Sequence, residues 1–230
     1  MTPDDLIALY RMGYFPMAQT REDQGFDIVA PCTRALLPLT YLHIPARLKR
    51  TIRQRRFEVR VDVDFAAVIH ACARAREATW INQDIEELYI KLHQQGLAHS
   101  IECWQEGRMV GGLYGVCVGG TFCGESMFST VSDASKVALV ALCARLHSLG
   151  YHLLDAQFRN PHLDQFGLYE MSQDDYVAQM QSYLHESRGF GLGGVMPFRE
   201  IESYIRSGVL LTPCHPPNYQ TCGDEGDPQK

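Results

Sequence analysis

The chain has 230 residues, of which 46% are hydrophobic, and its formal net charge at pH 7 is -6. This length and apolar content suffice for one sizeable packed domain and a smaller unit. No apolar run approaches the roughly 18 residues that a transmembrane helix needs. The first five residues are acidic rather than basic, which is not typical of a secretory signal. We therefore expect a cytoplasmic protein that does not associate with a membrane.

The eight cysteines contain no CxxC pair. Several of them fall inside apolar runs, where a free cysteine behaves as a small buried hydrophobic residue. Near the C-terminal end, Cys214, His215 and Cys222 could bind a metal ion. The cysteine pattern as a whole nevertheless predicts a reduced protein with no disulfide framework and no metal site.

The N-terminal residues predict a short helix followed by an irregular segment. Thr2 can cap this helix, Pro3 suits its first position, and Gly13 ends it. Residues 14–42 are rich in proline, and we expect them to be irregular. Together these segments form a small predicted N-terminal domain, residues 1–42.

Residues 43–187 carry alternating strand and helix patterns, which predict a mixed α/β (α+β) domain. Gln105-Glu-Gly107 has the composition of a hairpin turn. The predicted elements are a basic helix at about 45–55, strands at 57–63, 99–104, 108–116, from 122 and at 152–158, and helices at 65–75, 83–95, 133–150, near 161–166 and at 173–186. Residues 188–230 are predicted to be a partly disordered C-terminal extension, in which 201–206 could form a helical turn or two.

A basic segment lies between residues 47 and 60, although the chain as a whole is acidic. It holds seven of the 21 lysines and arginines. Local positive charge of this kind is what binding to a phosphate backbone requires, but a solvated helix face would show the same pattern. The candidate phosphate-binding residues are Arg47, Lys49, Arg50, Arg53, Arg55 and Arg56.

Two apolar strands end in polar side chains and supply the first candidates for chemistry. Glu125 lies in the run 122–129, and Asp155 and Gln157 lie in the run 153–158. Carboxylates and amides are costly to bury without partners, so such residues either end a strand at solvent or line a site. Alternatively, all three are strand-end residues that bond to the backbone.

These residues belong to a longer set of motifs that resembles a known family. The motifs are residues 10–16, 79–81, 96–100, 111–129, 133–136 and 154–157, with Pro161, His162 and Gly167, and they cover roughly residues 5–187 in order. They resemble the leucyl/phenylalanyl-tRNA–protein transferases. These bacterial enzymes move Leu or Phe from an aminoacyl-tRNA to the N-terminus of a protein that begins with Arg or Lys. They thereby mark it for degradation under the N-end rule.

The resemblance implies a fold like that of GNAT acetyltransferases and a role for each motif residue. Asp155 matches the proposed base for the incoming amine, and Gln157 matches the glutamine that holds this amine. Glu125 matches a contact to the terminal adenosine of tRNA, although an ion pair with Lys136 is an alternative. The donor-site positions matched or neighboured are Trp80, Leu113, Phe122, Glu125, Ser126, Met127, Phe128 and Asn160. For Trp80 and the apolar members, core packing is the alternative.

The chemistry of such a transfer is compatible with a chain that carries no cofactor motif. Aminoacyl-tRNA is an activated ester, and no GxxxxGK[ST] nucleotide loop is present in the sequence. An α-amine has a pKa of about 7.7–8.0, so a modest base suffices to deprotonate it. We therefore expect a monomeric, cofactor-independent enzyme whose partners are Leu- or Phe-tRNA and proteins with N-terminal Arg or Lys.

The chain departs from the family pattern before Arg34. Residues 28–33 read Ile-Val-Ala-Pro-Cys-Thr, where the family usually has a tryptophan-rich segment. One stacking surface for adenosine is therefore missing. Two alternatives stay open: another transferase on the same fold, using acetyl-CoA or adding amino acids to cell-wall precursors, and an RNA-binding relative without activity. Against acetyl-CoA, no pyrophosphate-binding loop precedes the helix at 133.

Overall fold

Helices and strands alternate along the chain in a computed structural model that describes residues 1–75, 78–186, 188–191 and 193–207. The helices are α1 (Pro3–Arg11), α2 (Ala46–Arg53), α3 (Phe65–Arg74), α4 (Gln83–Gln94), α5 (Ala134–Leu149), α6 (Pro161–Asp164), α7 (Gln173–Tyr183) and α8 (Phe198–Ser207). The strands are β1 (Phe15–Met17), β2 (Asp27–Val29), β3 (Thr33–Leu37), β4 (Glu58–Val61), β5 (Ala98–Gln105), β6 (Arg108–Val118), β7 (Thr121–Ser129), β8 (Leu153–Gln157), β9 (Tyr169–Ser172) and β10 (Gly194–Val195).

Eight of these strands form one large sheet, in the order β10-β4-β5-β6-β7-β8-β3-β9. All neighbours in it are antiparallel except β7 and β8, which run parallel. Pairing between β7 and β8 covers Thr121–Cys123 and ends there, although β7 continues to Ser129. The second half of β7 therefore borders an opening in the sheet. The predicted mixed α/β class is confirmed.

Local sequence signals account for several elements. Thr2 and Asp5 form a reciprocal capping box at the start of α1, which also carries Pro3 at its first position. The β5–β6 hairpin turns through Glu106 and Gly107, both at positive φ (51° and 73°), as a two-residue hairpin turn requires. The predicted hairpin is therefore confirmed.

The sheet is covered by helices on both faces, and each face has its own apolar core. Helices α2, α5 and α8 share one cluster, and α1, α3, α4 and α7 share the other. Helix α5 connects the parallel strands β7 and β8, and its residues from Val137 to Ala144 are all buried. The candidate site residues described below lie between these two layers, where β7 and β8 separate.

The structure corrects the expectation that residues 14–42 are irregular. They contain three strands, and β3 lies inside the large sheet, between β8 and β9. The partners of β3 come from more than 100 residues further along the chain, so no local pattern could reveal them.

Part of the predicted C-terminal extension, residues 188–230, is packed against the sheet, and the helical turn predicted at 201–206 lies within α8. Helix α8 buries Ile201, Tyr204 and Ile205, and the Tyr204 hydroxyl donates to the Leu39 carbonyl at 2.7 Å. Strand β10 pairs with β4 at the edge of the sheet. Residues 194–207 are therefore part of the packed fold, whereas 208–230, with Cys214, His215 and Cys222, lie outside the described residues.

Within the described ranges, no helix combines the length and the apolar character needed to cross a membrane. In the same part of the chain, no cysteine is disulfide-bonded.

Candidate active site

A cavity of about 440 Å³ opens where β7 and β8 separate. Its lining includes Glu125 on β7 and Gln157 on β8, called the polar end below, and further polar side chains such as Lys136 and Arg159. The apolar lining residues, called the apolar chamber below, include Met17, Trp80, Leu113, Met127 and Phe128, with Leu139 and Leu142 of α5. A cavity lined by both polar and apolar side chains suits a ligand that carries a reactive group beside a hydrophobic side chain.

Glu125 is the centre of a hydrogen-bond network at the polar end. The Tyr10 hydroxyl donates to Oε1 at 2.6 Å, and Nε2 of Gln157 donates to the same oxygen at 2.8 Å. The Tyr89 hydroxyl donates to Oε2 at 3.1 Å and also contacts the Tyr10 hydroxyl. Helices α1 and α4 thus each bring one phenol across the apolar core to a single carboxylate on β7.

Burial raises the pKa of Glu125 to about 7, although hydrogen bonds from Tyr10, Gln157 and Tyr89 act to lower it. No cation is among these partners, which explains why burial prevails. Burial also raises the pKa of Tyr10 and Tyr89 well above the ordinary value, so both phenols stay protonated as donors. The carboxyl of Glu125 can therefore gain or lose a proton near neutral pH.

Asp155 has a different environment, because its carboxylate forms a buried ion pair with Arg34. Nη2 of Arg34 lies 3.0 Å from Oδ2, Nε lies 3.1 Å from both oxygens, and both side chains are fully buried. The Tyr176 hydroxyl donates to Oδ2 at 2.9 Å, and the backbone N–H of Gln157 donates to Oδ1 at 2.7 Å. Burial raises the pKa of Asp155, while Arg34 acts in the opposite direction.

The ion pair between Arg34 and Asp155 holds the strand end that carries Gln157. Gln157 has φ = 63°, in the left-handed region that a residue with a side chain rarely adopts. Its N–H bond to Asp155 stabilises that conformation and directs the amide side chain to Glu125. Arg34 itself is fixed by the Gly13 carbonyl at 3.2 Å and by the ring of Tyr176, 4.3 Å from the guanidinium.

The structure brings most of the residues predicted for the donor site to this one cavity. The lining includes Trp80, Leu113, Glu125, Ser126, Met127, Phe128 and Asn160, together with Asp155 and Gln157. Phe122 is different: it is fully buried and stacks on Phe190 at 5.6 Å, away from the cavity. Asn160 also caps α6, where its Oδ1 accepts from the His162 N–H at 3.0 Å.

The six predicted phosphate-binding residues form an exposed surface on and after α2, called the basic surface below. Leu48 and Ile52 of α2 face the core, whereas Arg47, Arg50, Arg53, Arg55 and Arg56 are exposed and Lys49 is half-buried. Thr51 contacts Asp133 at 3.5 Å, just before α5. Since Ser135 and Lys136 at the start of α5 line the cavity, the basic surface and the cavity are connected through this helix end.

Four residues of the site were missed as site residues by sequence reasoning. Tyr10 and Tyr89 lie on the apolar faces of amphipathic helices, where a tyrosine usually indicates core packing. Arg34 and Tyr176 contact Asp155 from distant positions in the chain. The alternative of an ion pair between Lys136 and Glu125 is not observed, because Lys136 pairs with Asp133 at 3.5 Å.

Outside the cavity, Asp62, His93 and His99 bring potential metal-ligating atoms within 4.8 Å of one another. Protein groups already bond these atoms: Nδ1 of His99 lies 2.7 Å from Asp62, and Nδ1 of His93 lies 2.8 Å from the Ala98 carbonyl. Phe65 stacks on His93 and Phe190 stacks on His99. This network joins the end of β4 to α4 and β5.

Comparison with known proteins gives consistent matches over most of the chain. The family model described as leucyl/phenylalanyl-tRNA protein transferase matches residues 36–181. Proteins named leucyl/phenylalanyl-tRNA–protein transferase are similar to this chain. The one from Hyphomonas neptunium is 50% identical over 212 residues, which are 90% of this chain and 82% of that protein. The one from Caulobacter vibrioides is 54% identical over 186 residues, 80% and 86% of the two chains. The one from Phenylobacterium zucineum is 50% identical over 197 residues, 84% and 89% of the two chains.

Proposed function

Because this chain belongs to the leucyl/phenylalanyl-tRNA–protein transferase family of aminoacyltransferases, we propose that it transfers Leu or Phe, and less well Met, from aminoacyl-tRNA to proteins. The acceptor is the N-terminal α-amine of a protein that begins with Arg or Lys. The proposal includes a GNAT-like catalytic fold, a cytoplasmic location and N-end-rule degradation of the product. The observation that carries it is the cavity with an apolar chamber beside Glu125 and Gln157.

The apolar chamber supports an aminoacyl donor with a hydrophobic side chain. Met127 is unbranched and adaptable, so one chamber can accept both an aliphatic and an aromatic side chain. Apolar pockets discriminate between similar side chains by only about 10–200-fold. We therefore propose Leu and Phe as good donors and Met as a poorer one.

The basic surface supports a donor that arrives on RNA. Its exposed guanidinium groups can neutralise phosphates, and the start of α5 connects it to the cavity. Trp80, which is half-buried in the cavity wall, can stack on the terminal adenine. The phosphate backbone would then lie over α2 while the aminoacyl ester enters the cavity.

Peptide bond formation requires that the acceptor amine be held in line with the ester carbonyl. We place Gln157 in this role, since its side chain faces the cavity from the end of β8. Asp155 then acts as a positioning residue, because Arg34, Tyr176 and the Gln157 N–H already bond its carboxylate. Because the aminoacyl ester is already activated, peptide bond formation from it needs no nucleoside triphosphate.

The test is a transfer assay with purified protein, Leu-tRNA and a peptide that begins with Arg. The proposal predicts extension of this peptide by one leucine, and extension by phenylalanine when Phe-tRNA is the donor. Two controls are a peptide that begins with Asp and an Arg peptide whose α-amine is acetylated, neither of which should be extended. RNA binding without extension would instead favour an RNA-binding protein that has lost the activity.

A further inference from the structure

The cavity brings two carboxylates together, and only one of them is available to a substrate. Asp155 accepts from Arg34, Tyr176 and the Gln157 N–H, and its side chain is fully buried. Glu125 is partly exposed and accepts three hydrogen bonds from neutral donors. A carboxylate has about four acceptor positions, so Glu125 retains one for a further donor.

The available position is on Oε2, which accepts only the 3.1 Å bond from Tyr89, while Oε1 accepts from both Tyr10 and Gln157. Gln157 is the side chain proposed above to hold the acceptor amine. Nε2 of Gln157 lies 2.8 Å from Oε1 of Glu125. An amine that binds to the Gln157 side chain is therefore also close to the Glu125 carboxylate.

Resting on the proposed function, we propose that Glu125 is the catalytic residue that accepts the proton of the acceptor α-amine during peptide bond formation. The amine reaches the cavity neutral, after it has released one proton to solvent. Its nitrogen attacks the ester carbonyl carbon, a C–N bond forms, and one N–H proton moves to Oε2 of Glu125. The C–O bond to the ribose then breaks, and the Glu125 carboxylic acid returns its proton to the leaving ribose oxygen. The products are the extended peptide and uncharged tRNA.

The acidity of Glu125 is suited to both proton transfers. Its pKa of about 7 lies close to the 7.7–8.0 of an α-ammonium group, which the attacking nitrogen resembles once the C–N bond forms, so the first transfer is not strongly uphill. The return of the proton to the developing ribose alkoxide is downhill, because an alkoxide is much more basic than a carboxylate. The titratable groups that face it are Tyr10 of α1, Tyr89 of α4, Tyr114 of β6, Cys123 of β7 and Asp155 of β8. Burial keeps the phenols and the thiol neutral, and Arg34 compensates the charge of Asp155.

The test is the pH dependence of single-turnover transfer, measured with saturating Leu-tRNA and a limiting Arg peptide whose amine pKa is known. In the natural protein, both the amine and Glu125 must lose a proton. The logarithm of the rate should therefore rise with a slope near two below pH 6.5 and near one between the two pKa values. Glu125→Gln should lower the rate by about 10²–10⁴-fold and leave a slope of one with only the midpoint of the amine.

A second variant keeps the carboxylate and changes its acidity. Tyr89→Phe removes a donor that stabilises the charged form of Glu125, so the lower midpoint should move upward by roughly 0.5–1 unit. The matched control is Tyr114→Phe. The buried Tyr114 hydroxyl has no hydrogen-bond partner among the residues that the structure describes, so its removal should leave this midpoint in place. If Glu125→Gln does not fold, the shift of the lower midpoint in Tyr89→Phe still tests whether Glu125 accepts the proton.

Three results would overturn the assignment. They are a slope of two that persists in Glu125→Gln, an unmoved lower midpoint in Tyr89→Phe, and a Glu125→Gln variant whose only defect is weaker binding of a leucyl-adenosine amide. In the last case Glu125 would be a contact for the terminal adenosine alone. If the natural protein itself transfers nothing, the proposed function fails, and this failure is distinct because it needs no variant.

Discussion

Two carboxylates near one cavity differ in behaviour because their partners differ in charge. Asp155 is paired with the guanidinium of Arg34, whereas Glu125 has only neutral donors. Asp155→Asn would leave Arg34 buried without a counter-charge. We expect the free energy of unfolding to fall by about 3–5 kcal/mol, the usual cost of breaking a buried ion pair on one side. Urea unfolding measures this change directly.

The matched control is Tyr176→Phe, which removes one bond to Asp155 and keeps the ion pair. Its expected cost is about 1 kcal/mol, the net value of an ordinary hydrogen bond. At a temperature where Asp155→Asn remains folded, its transfer rate should be reduced equally at all pH values, since a misplaced Gln157 affects every protonation state. A loss that high pH relieves would identify Asp155 as the base instead.

At the scale of one element, helix α2 packs apolar side chains into the core and exposes basic side chains that could bind a polyanion. Leu48 and Ile52 are buried, while the arginines lie on the opposite side. Replacing Arg50 and Arg53 with Ala should weaken binding of charged tRNA. It should also reduce the slope of log affinity against log salt by about one for each lost phosphate contact. Filter binding at several salt concentrations provides the measurement.

The control for the α2 variant is Lys91→Ala, because Lys91 is exposed on α4, which packs on the opposite face of the sheet. This substitution should leave the salt slope unchanged. Equal slopes for the natural protein and the α2 variant would show that the basic surface is solvated helix with no role in RNA binding.

At the scale of the whole molecule, the site and the core both include residues from the two ends of the described chain. Tyr10 and Arg34 reach the site from the N-terminal part, and α8 covers α5 from the C-terminal part. A chain that ends at Ser207 keeps every contact described above. Its melting temperature should be close to that of the full-length protein.

A chain that ends at Gly193 should be much less stable. It loses β10 and the buried side chains Ile201, Tyr204 and Ile205, each worth roughly 1.5–3 kcal/mol of burial. Calorimetry of the two truncated chains provides the comparison. Equal melting temperatures would show that α8 contributes no stability and that the domain indeed ends before it.

The sequence by itself determined the elements whose signals are local. The cap at Thr2, the hairpin turn at Glu106 and Gly107, and helix α5 up to Gly150 are all readable from neighbouring residues. The family also followed from the sequence, because its motifs are contiguous runs. Glu125 and Gln157 were candidates for the same reason: each is a polar side chain near the end of an apolar strand.

Only the tertiary structure decided which partners those candidates have. Arg34 meets Asp155 across 121 positions and Tyr10 meets Glu125 across 115, and no local pattern reports contacts at such separations. The same holds for β3, whose partners β8 and β9 come late in the chain. Since pKa depends on burial and on neighbouring charges, only the structure could show that burial raises the pKa of Glu125 to about 7 among neutral donors, and that Arg34 opposes the effect of burial on the pKa of Asp155.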